Sequence, residues 1–203
     1  MLRLVVGLMA LFTAAPALAH HPMGGTTPAT LMEGLLSGFG HPILGFDHFV
    51  FIIAAGLLAA PRARGLLLPV AFVIGSFVGS LLHIRSVDLP GGELLIAGSV
   101  LLMGYLLVSQ RSIGDNLFAV ILAVAGLLHG HALAEAIIGA EATPLVAYLG
   151  GLALTQYLIA AAVVVAWRAL VRRNAALPPR LSRIAGAGVA AVGAFFLVFN
   201  ITG

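Results

Sequence analysis

Long apolar stretches separated by short polar segments run along most of the chain. A helix needs about 20 predominantly apolar residues to cross the hydrocarbon core of a bilayer. Stretches of this length predict an all-α protein, a polytopic membrane helical bundle with about six transmembrane helices. The predicted spans are residues 42–60, 65–83, 92–109, 116–133, 144–167 and 182–200.

The first apolar run, residues 31–60, is too long for one perpendicular span. The tripeptide Gly40-His41-Pro42 divides it, because proline is favourable in the first turn of a helix and unfavourable in its interior. Residues 29–39 are therefore predicted to form a short interfacial or re-entrant helix that leads into the first span.

Residues 1–19 have the pattern of a secretory signal peptide. Arg3 provides a basic start, an apolar segment follows, and the stretch ends in an Ala-Leu-Ala cleavage pattern. We expect cleavage after Ala19, which leaves residues 20–203 as a single six-helix transmembrane domain. An uncleaved first helix is the alternative, and the helix-disrupting Pro16 weighs against it.

Composition agrees with a membrane protein and excludes several kinds of chemistry. Of the 203 residues, 61% are hydrophobic and 8% are charged. The absence of cysteine excludes disulfides, zinc–thiolate sites and thiol catalysis, so any metal ligands must be imidazole or oxygen. The net charge of +3 comes from arginines spread between the spans, a distribution typical of membrane topology and not of nucleic-acid binding.

The arginines indicate which side of the membrane each loop occupies, because cytoplasmic loops collect basic residues. If the mature N-terminus is outside, the outer loops contain Arg85, and the inner loops contain the other arginines that follow the first span. We therefore expect a multi-pass protein of the bacterial inner membrane with both termini in the periplasm. The inner arginines are Arg62, Arg64, Arg111, Arg168, Arg172, Arg173, Arg180 and Arg183.

All seven histidines fall at or near the predicted outer face, opposite the arginines. This segregation favours an entrance that handles metal ions over histidines scattered through the core. The histidines are His20, His21, His41, His48, His83, His129 and His131.

His41, Asp47 and His48 form a polar group in the predicted first span. On a continuous helix, residues seven apart share a face, so His41 and His48 are expected side by side, with Gly45 leaving room for a helix or an ion. An aspartate inside a membrane is costly unless it faces the bundle interior and is paired. Asp47 has two possible roles: a metal ligand, or an acceptor that holds a histidine ring in one tautomer.

A second polar group, His129, His131 and Glu135, ends the predicted fourth span and completes the predicted metal site. His131 and Glu135 are four residues apart and can share a helix face, whereas His129 and His131 point nearly opposite ways. At most one of these two histidines is therefore expected to bind the metal directly. The sequence leaves open the roles of Glu33, His83 and Glu141.

Cleavage after Ala19 would also create a possible capture site. The new α-amino group would lie on His20, and a neutral amine, the His20 imidazole and His21 can chelate one divalent ion. Pro22 stiffens the chain behind them. The alternative is that these histidines are incidental.

Small residues at four-residue spacing indicate two helices that can approach a neighbour closely. Gly75 and Gly79, overlapping Ser76 and Ser80, lie in the second predicted span, and an Ala/Gly-rich run at 185–194 lies in the sixth. Such faces also allow the chain to form an oligomer.

The pattern His41-Pro42-x-x-Gly45-x-Asp47-His48, in the first span after a signal peptide, resembles the signature of the HupE/UreJ family. These are small six-span permeases implicated in nickel or cobalt uptake and often associated with hydrogenase or urease genes. The resemblance extends over essentially the whole chain. It implies that Ni²⁺ or Co²⁺ is the transported substrate, that no cofactor is required, and that the partners are the ion and the bilayer.

The sequence His-Gly-His-Ala at residues 129–132, followed by Glu135 and by Gly-Ala-Glu at 139–141, is similar to the second block of the family. Ala134 occupies a position where glycine is expected. This departure affects the role of Glu135 more than that of the first histidine of the block.

Two functions compete with transport. The main alternative is a membrane metal-binding accessory or sensor protein for hydrogenase or urease maturation. An intramembrane hydrolase using Ser76 or Ser80 with His83 or His129 is a weaker alternative, because both serines occupy packing positions. We therefore predict that the chain is not an enzyme. It contains no lysine and no phosphate-binding Gly-x-x-x-x-Gly-Lys loop, so it is not itself an ATPase of that class.

Overall fold

The computed structural model describes residues 26–174 and 177–202, and the regular elements in these ranges are helical, which confirms the all-α prediction. A 3₁₀ helix, Ala134–Ile137, directly follows the fifth α-helix. The predicted signal peptide lies outside the described residues. The α-helices are α1 Leu31–Leu44, α2 Phe46–Ala59, α3 Leu68–Ile84, α4 Gly92–Ser109, α5 Asp115–Leu133, α6 Ala142–Arg173 and α7 Pro178–Thr202.

Helix length and apolar composition identify this chain as a multi-pass membrane protein. Helices α4 to α7 are each long and apolar enough to cross a membrane, and α1 with α2 adds a fifth crossing if the two count as one broken span. Helix α3 is apolar but has 17 residues, fewer than the about 20 of a typical span. Six crossings therefore stay a prediction.

Helix α1 begins at Leu31 because Thr30 caps it. The backbone N–H of Glu33 donates to Thr30 Oγ1 at 3.2 Å, and the backbone N–H of Thr30 donates to Glu33 Oε2 at 3.3 Å. This reciprocal pair is a capping box, which satisfies two N–H groups that the helix itself cannot pair. Glu33, whose role the sequence left open, thus stabilises a helix start.

The chain bends by 77° between α1 and α2, and the break lies at Gly45. The predicted division at Gly40-His41-Pro42 is wrong. Pro42 lies in the last turn of α1, where a proline removes one backbone hydrogen bond without ending the helix. The Gly45 N–H donates to the His41 carbonyl and closes α1, while the Gly45 carbonyl accepts from Phe49 and starts α2.

Glycines bring α3 and α7 into backbone contact with a neighbouring helix, as the small-residue spacing in these two helices predicted. A Cβ atom on Gly79 of α3 would lie 1.9 Å from the Leu127 carbonyl oxygen of α5, and one on Gly193 of α7 would lie 2.5 Å from the Leu101 nitrogen of α4. These glycines are thus engaged inside the chain. An oligomer through small-residue faces would have to use other positions, and it stays a prediction.

One end of the bundle is basic and closely connected. Arg62, in the α2–α3 loop, donates to the Asp115 carboxylate at the start of α5 at 2.6 Å. Arg168, near the end of α6, donates to the carbonyls of Ala60 and Arg62 at 2.9 and 2.7 Å. These contacts place the α2–α3 loop, the start of α5 and the end of α6 together, opposite the bend at Gly45.

Candidate metal-binding site

A cavity of about 150 Å³ lies at the end of the bundle where α1 meets α2. Four of the predicted site residues line it: His41, Asp47, His48 and Glu135. They come from α1, from the first turn of α2 and from the 3₁₀ helix, so the cavity joins two segments that are far apart in sequence. The other lining residues are Glu93, Ala132, Ala136, Phe196, Phe199 and Asn200.

The bend at Gly45 determines how the two histidines of the first motif reach this cavity. His41 lies on α1 and His48 on α2, so the expected shared face on one continuous helix is wrong. Glycine leaves room for the His48 ring at the bend, since a Cβ atom there would lie 2.6 Å from Cδ2 of the ring, and the ring would have to shift. The bend, and not helical periodicity, brings both rings to one cavity.

Asp47 is buried in the first turn of α2, with 5% of its surface exposed. Its Oδ1 accepts the backbone N–H of His48 at 2.9 Å, and a negative charge is favourable at a helix N-terminus, where N–H groups are unpaired. The same Oδ1 lies 3.9 Å from Nε2 of His48, too far for a hydrogen bond. Asp47 therefore does not hold the His48 ring in a tautomer by direct contact.

A buried chain of hydrogen bonds assigns the tautomer of His48 instead. Ser99 Oγ donates to the Ile96 carbonyl at 2.7 Å, so it accepts from Nε2–H of His129 at 2.9 Å. Nδ1 of neutral His129 then accepts from Nδ1–H of His48 at 2.6 Å. Nε2 of His48 is left with a lone pair beside the Asp47 carboxylate.

A second hydrogen-bond chain orients His41. The Tyr148 hydroxyl, fully buried on α6, donates to the Leu133 carbonyl. Its oxygen therefore accepts from Nδ1–H of His41 at 2.7 Å. In the neutral ring the lone pair then lies on Nε2, as it does in His48.

His131 lies outside this group. Its Nδ1 is 3.1 Å from Nδ1 of His83, and its Nε2 donates to the Val87 carbonyl at 2.8 Å. His129 and His131 thus have different hydrogen-bond partners, and which of them binds the metal directly stays a prediction. The expected pairing of His131 with Glu135 on one face is not the arrangement found, because α5 ends at Leu133 and the 3₁₀ helix follows.

The ligating groups surround the cavity without converging on one point. Within residues 26–174 and 177–202, no three histidine, aspartate or glutamate side chains lie close enough to hold one metal ion. His20 and His21, the predicted capture site, lie outside the described residues.

Sequence reasoning missed Glu93, Ser99 and Tyr148. Glu93 lies in the first turn of α4 and lines the cavity; its place at the predicted outer end of the third span was a usable signal. Ser99 and Tyr148 act through hydrogen bonds to histidines of other helices. Sequence spacing carries no information about such contacts between helices.

The two serines proposed for hydrolase chemistry are engaged elsewhere. Ser76 Oγ accepts from Gln156 Nε2 at 2.9 Å, and Ser80 Oγ donates to the Gly130 carbonyl at 2.9 Å. Within the described part of the chain, neither hydroxyl contacts a histidine ring. The hydrolase interpretation has no nucleophile–base pair.

Apolar helices with a cavity lined by imidazole and carboxylate at one end define a multi-pass membrane protein with a polar cavity. The family model described as HupE / UreJ protein matches residues 8–196. The chain therefore belongs to the HupE/UreJ family. This family is linked to nickel or cobalt uptake for hydrogenase or urease.

A named relative gives the same assignment. "Protein HupE" of Rhizobium leguminosarum bv. viciae is 32% identical over 120 residues, which cover 58% of this chain and 60% of that protein. The chain thus aligns with less than two thirds of this relative. No solved structure matches the chain.

Proposed function

We propose that this chain is a permease that takes up nickel or cobalt ions through the cavity at the bend between α1 and α2. The observation that carries the proposal is the pair formed by His48 Nε2 and Asp47 Oδ1, 3.9 Å apart. Both atoms are electron-pair donors, because hydrogen bonding to His129 leaves the lone pair on Nε2. Two metal–ligand bonds of about 2.1 Å each can bridge this separation.

The charge of the cavity lining supports a cation as the substrate. Three carboxylates, Asp47, Glu93 and Glu135, line the cavity, and none of the arginines in the described part of the chain does. Carboxylates in a cleft with low-dielectric walls raise the local concentration of cations. Imidazole with carboxylate suits borderline divalent ions, whereas the absence of cysteine disfavours copper(I).

The proposal also includes direction. With the cavity at the periplasmic end, the basic cluster around Arg62 and Arg168 lies on the cytoplasmic side, in agreement with the positive-inside rule. The ion would enter near His41 and His48 and leave toward the arginine-rich loops. An ion gradient, or trapping of the metal in the cytoplasm, would drive uptake.

The first test is Asp47→Asn, which keeps the side-chain shape and the oxygen that accepts the His48 N–H but removes the charge. We expect nickel and cobalt accumulation to fall to background while the amount of protein in the membrane is unchanged, because the bridging anion is lost. Asp88→Asn, at an exposed loop aspartate, is the matched control and should transport normally. If Asp47→Asn accumulates nickel and cobalt as the wild type does, the proposed site is wrong.

An accessory or sensor protein is the alternative function, and the same assay separates the two. Such a protein would bind the ion in detergent but would not increase metal accumulation in cells or in vesicles. A permease shows both binding and accumulation, and the Asp47→Asn exchange weakens both together.

A further inference from the structure

Gln156 of α6 is fully buried, and the nitrogen and oxygen of its amide differ in their hydrogen bonding. Its Nε2 donates to Ser76 Oγ of α3 at 2.9 Å. Its Oε1 accepts no hydrogen bond, and within residues 26–174 and 177–202 it is the one buried side-chain atom in this state. An unpaired carbonyl oxygen inside a membrane bundle is unfavourable, so its presence calls for a function.

The depth of Gln156 follows from the packing of α2 against α6. A Cβ atom on Gly56 of α2 would lie 2.8 Å from the Ala160 carbonyl oxygen of α6. Gly56 is therefore level with Ala160. Both helices run from the cavity end toward the basic end, so the residues four positions earlier on each helix, Ile52 and Gln156, are level with each other as well. Gln156 thus lies one helical turn deeper in the bundle than His48.

Two aromatic rings lie next to the inner histidine of the site. Phe51 of α2 and Phe72 of α3 are buried and stacked, with ring centroids 5.1 Å apart. The His129 ring contacts both, at 4.5 and 5.7 Å between centroids. An ion that leaves His48 toward the basic end therefore meets apolar rings and needs another ligand close by.

We propose that Oε1 of Gln156 is this ligand, a transit site that receives the divalent ion after His48 and Asp47. The inference rests on the proposed transport function. An amide carbonyl oxygen is an accepted ligand for divalent cations. Being neutral, it holds the ion more weakly than imidazole with carboxylate, and transport requires sites that the ion can leave. Ser76 is a positioning residue, because it accepts from the amide nitrogen and directs the oxygen away from itself.

The test compares Gln156→Leu, which removes the oxygen, with Gln156→Glu, which keeps the shape and adds charge. The purified protein is reconstituted into lipid vesicles. There, Gln156→Leu should lower the maximal rate of nickel uptake about tenfold and leave the half-saturation concentration unchanged. Because misfolded protein would also lower the maximal rate, each rate is divided by the amount of folded protein in the vesicles, measured by the cobalt that it binds. Ser80→Ala, another buried hydroxyl position on α3, is the control and should keep the wild-type rate.

Gln156→Glu should retain the ion at the transit site. We expect it to bind one more equivalent of Co²⁺ than the wild type in detergent, read from the visible absorption of cobalt, and to transport more slowly. Wild-type maximal rate in Gln156→Leu would overturn the inference. If Gln156→Leu does not fold, a wild-type cobalt titration of Gln156→Glu would overturn it.

The two proposals fail in distinguishable ways. If the wild-type protein itself does not accumulate nickel or cobalt, the proposed function is wrong. The cobalt titration then decides the ligand role alone: an additional equivalent in Gln156→Glu supports it, and an unchanged titration overturns it.

Discussion

Residues on other helices determine the tautomers of His41, His48 and His129. Ser99 of α4 and the Ile96 carbonyl determine the tautomer of His129, which in turn determines that of His48. Tyr148 of α6 does the same for His41. A metal-binding imidazole commonly has its second nitrogen fixed by such a partner. Nε2 is therefore the nitrogen of His41 and His48 that suits a metal ion.

Tyr148→Phe tests the role of this partner for His41, because it removes one oxygen atom. The substitution removes the hydroxyl group, whose oxygen accepts from His41 and whose O–H donates to the Leu133 carbonyl, while the ring remains. We expect the half-saturation concentration for nickel uptake to rise about tenfold, the lower range for lost partners of metal-binding histidines. The measurement is initial uptake rate against metal concentration.

Tyr157→Phe, nine residues further along the same helix, is the control for that exchange. It removes the same atom from the same residue type and should leave uptake unchanged. If both variants behave like the wild type, the orientation of His41 does not depend on Tyr148.

At the scale of elements, glycines decide where helices break and how closely they pack. Gly45 ends α1 and starts α2, and its lack of a Cβ atom leaves space for the His48 ring. Between α3 and α5, Cβ atoms on Gly79 and Gly130 would lie 1.9 and 2.0 Å from carbonyl oxygens of the facing helix. The position of His129 on α5 thus depends on glycines that lie outside the site.

Gly79→Ala should therefore destabilise the bundle. The added methyl group would lie 1.9 Å from the Leu127 carbonyl oxygen, and a backbone atom cannot move aside as a flexible side chain can. We expect the apparent melting temperature in detergent to fall by at least about 3 °C. Gly98→Ala in α4, where nothing lies within 4 Å of the added atom, should be neutral or slightly stabilising. Equal melting temperatures for Gly79→Ala and the wild type would show that α3 and α5 can move apart enough for the methyl group without loss of stability.

At the scale of the whole molecule, charge is distributed between two ends. The cavity end carries Asp47, Glu93 and Glu135, and the opposite end carries the contacts of Arg62 and Arg168. If the cavity faces the periplasm, as proposed, this arrangement agrees with the positive-inside rule and would concentrate cations at the cavity end.

Single cysteines test this orientation cleanly, because the chain has none of its own. We expect Asp88→Cys and Ala142→Cys to react with a membrane-impermeant maleimide in intact spheroplasts. Ala63→Cys and Ser112→Cys should react only after permeabilisation. All four positions are exposed at helix ends or in loops. The opposite labelling pattern would reverse the proposed direction of entry.

The amino-acid sequence by itself determined the membrane-protein class, the helical fold and the approximate limits of most helices, since all of these follow from runs of apolar residues. It also placed His41, Asp47, His48 and Glu135 at one end, and these residues line one cavity. Apolar runs and their order along the chain are local properties, so a single sequence shows them directly.

The tertiary structure alone decided which polar groups meet. In the structure the break lies at Gly45 and not at Pro42, His131 contacts His83, and Oε1 of Gln156 has no hydrogen-bond donor. These outcomes depend on the rotation and tilt of each helix against its neighbours. Packing of backbone against backbone at glycines sets those angles, and spacing along one chain segment does not encode the face that a distant segment presents.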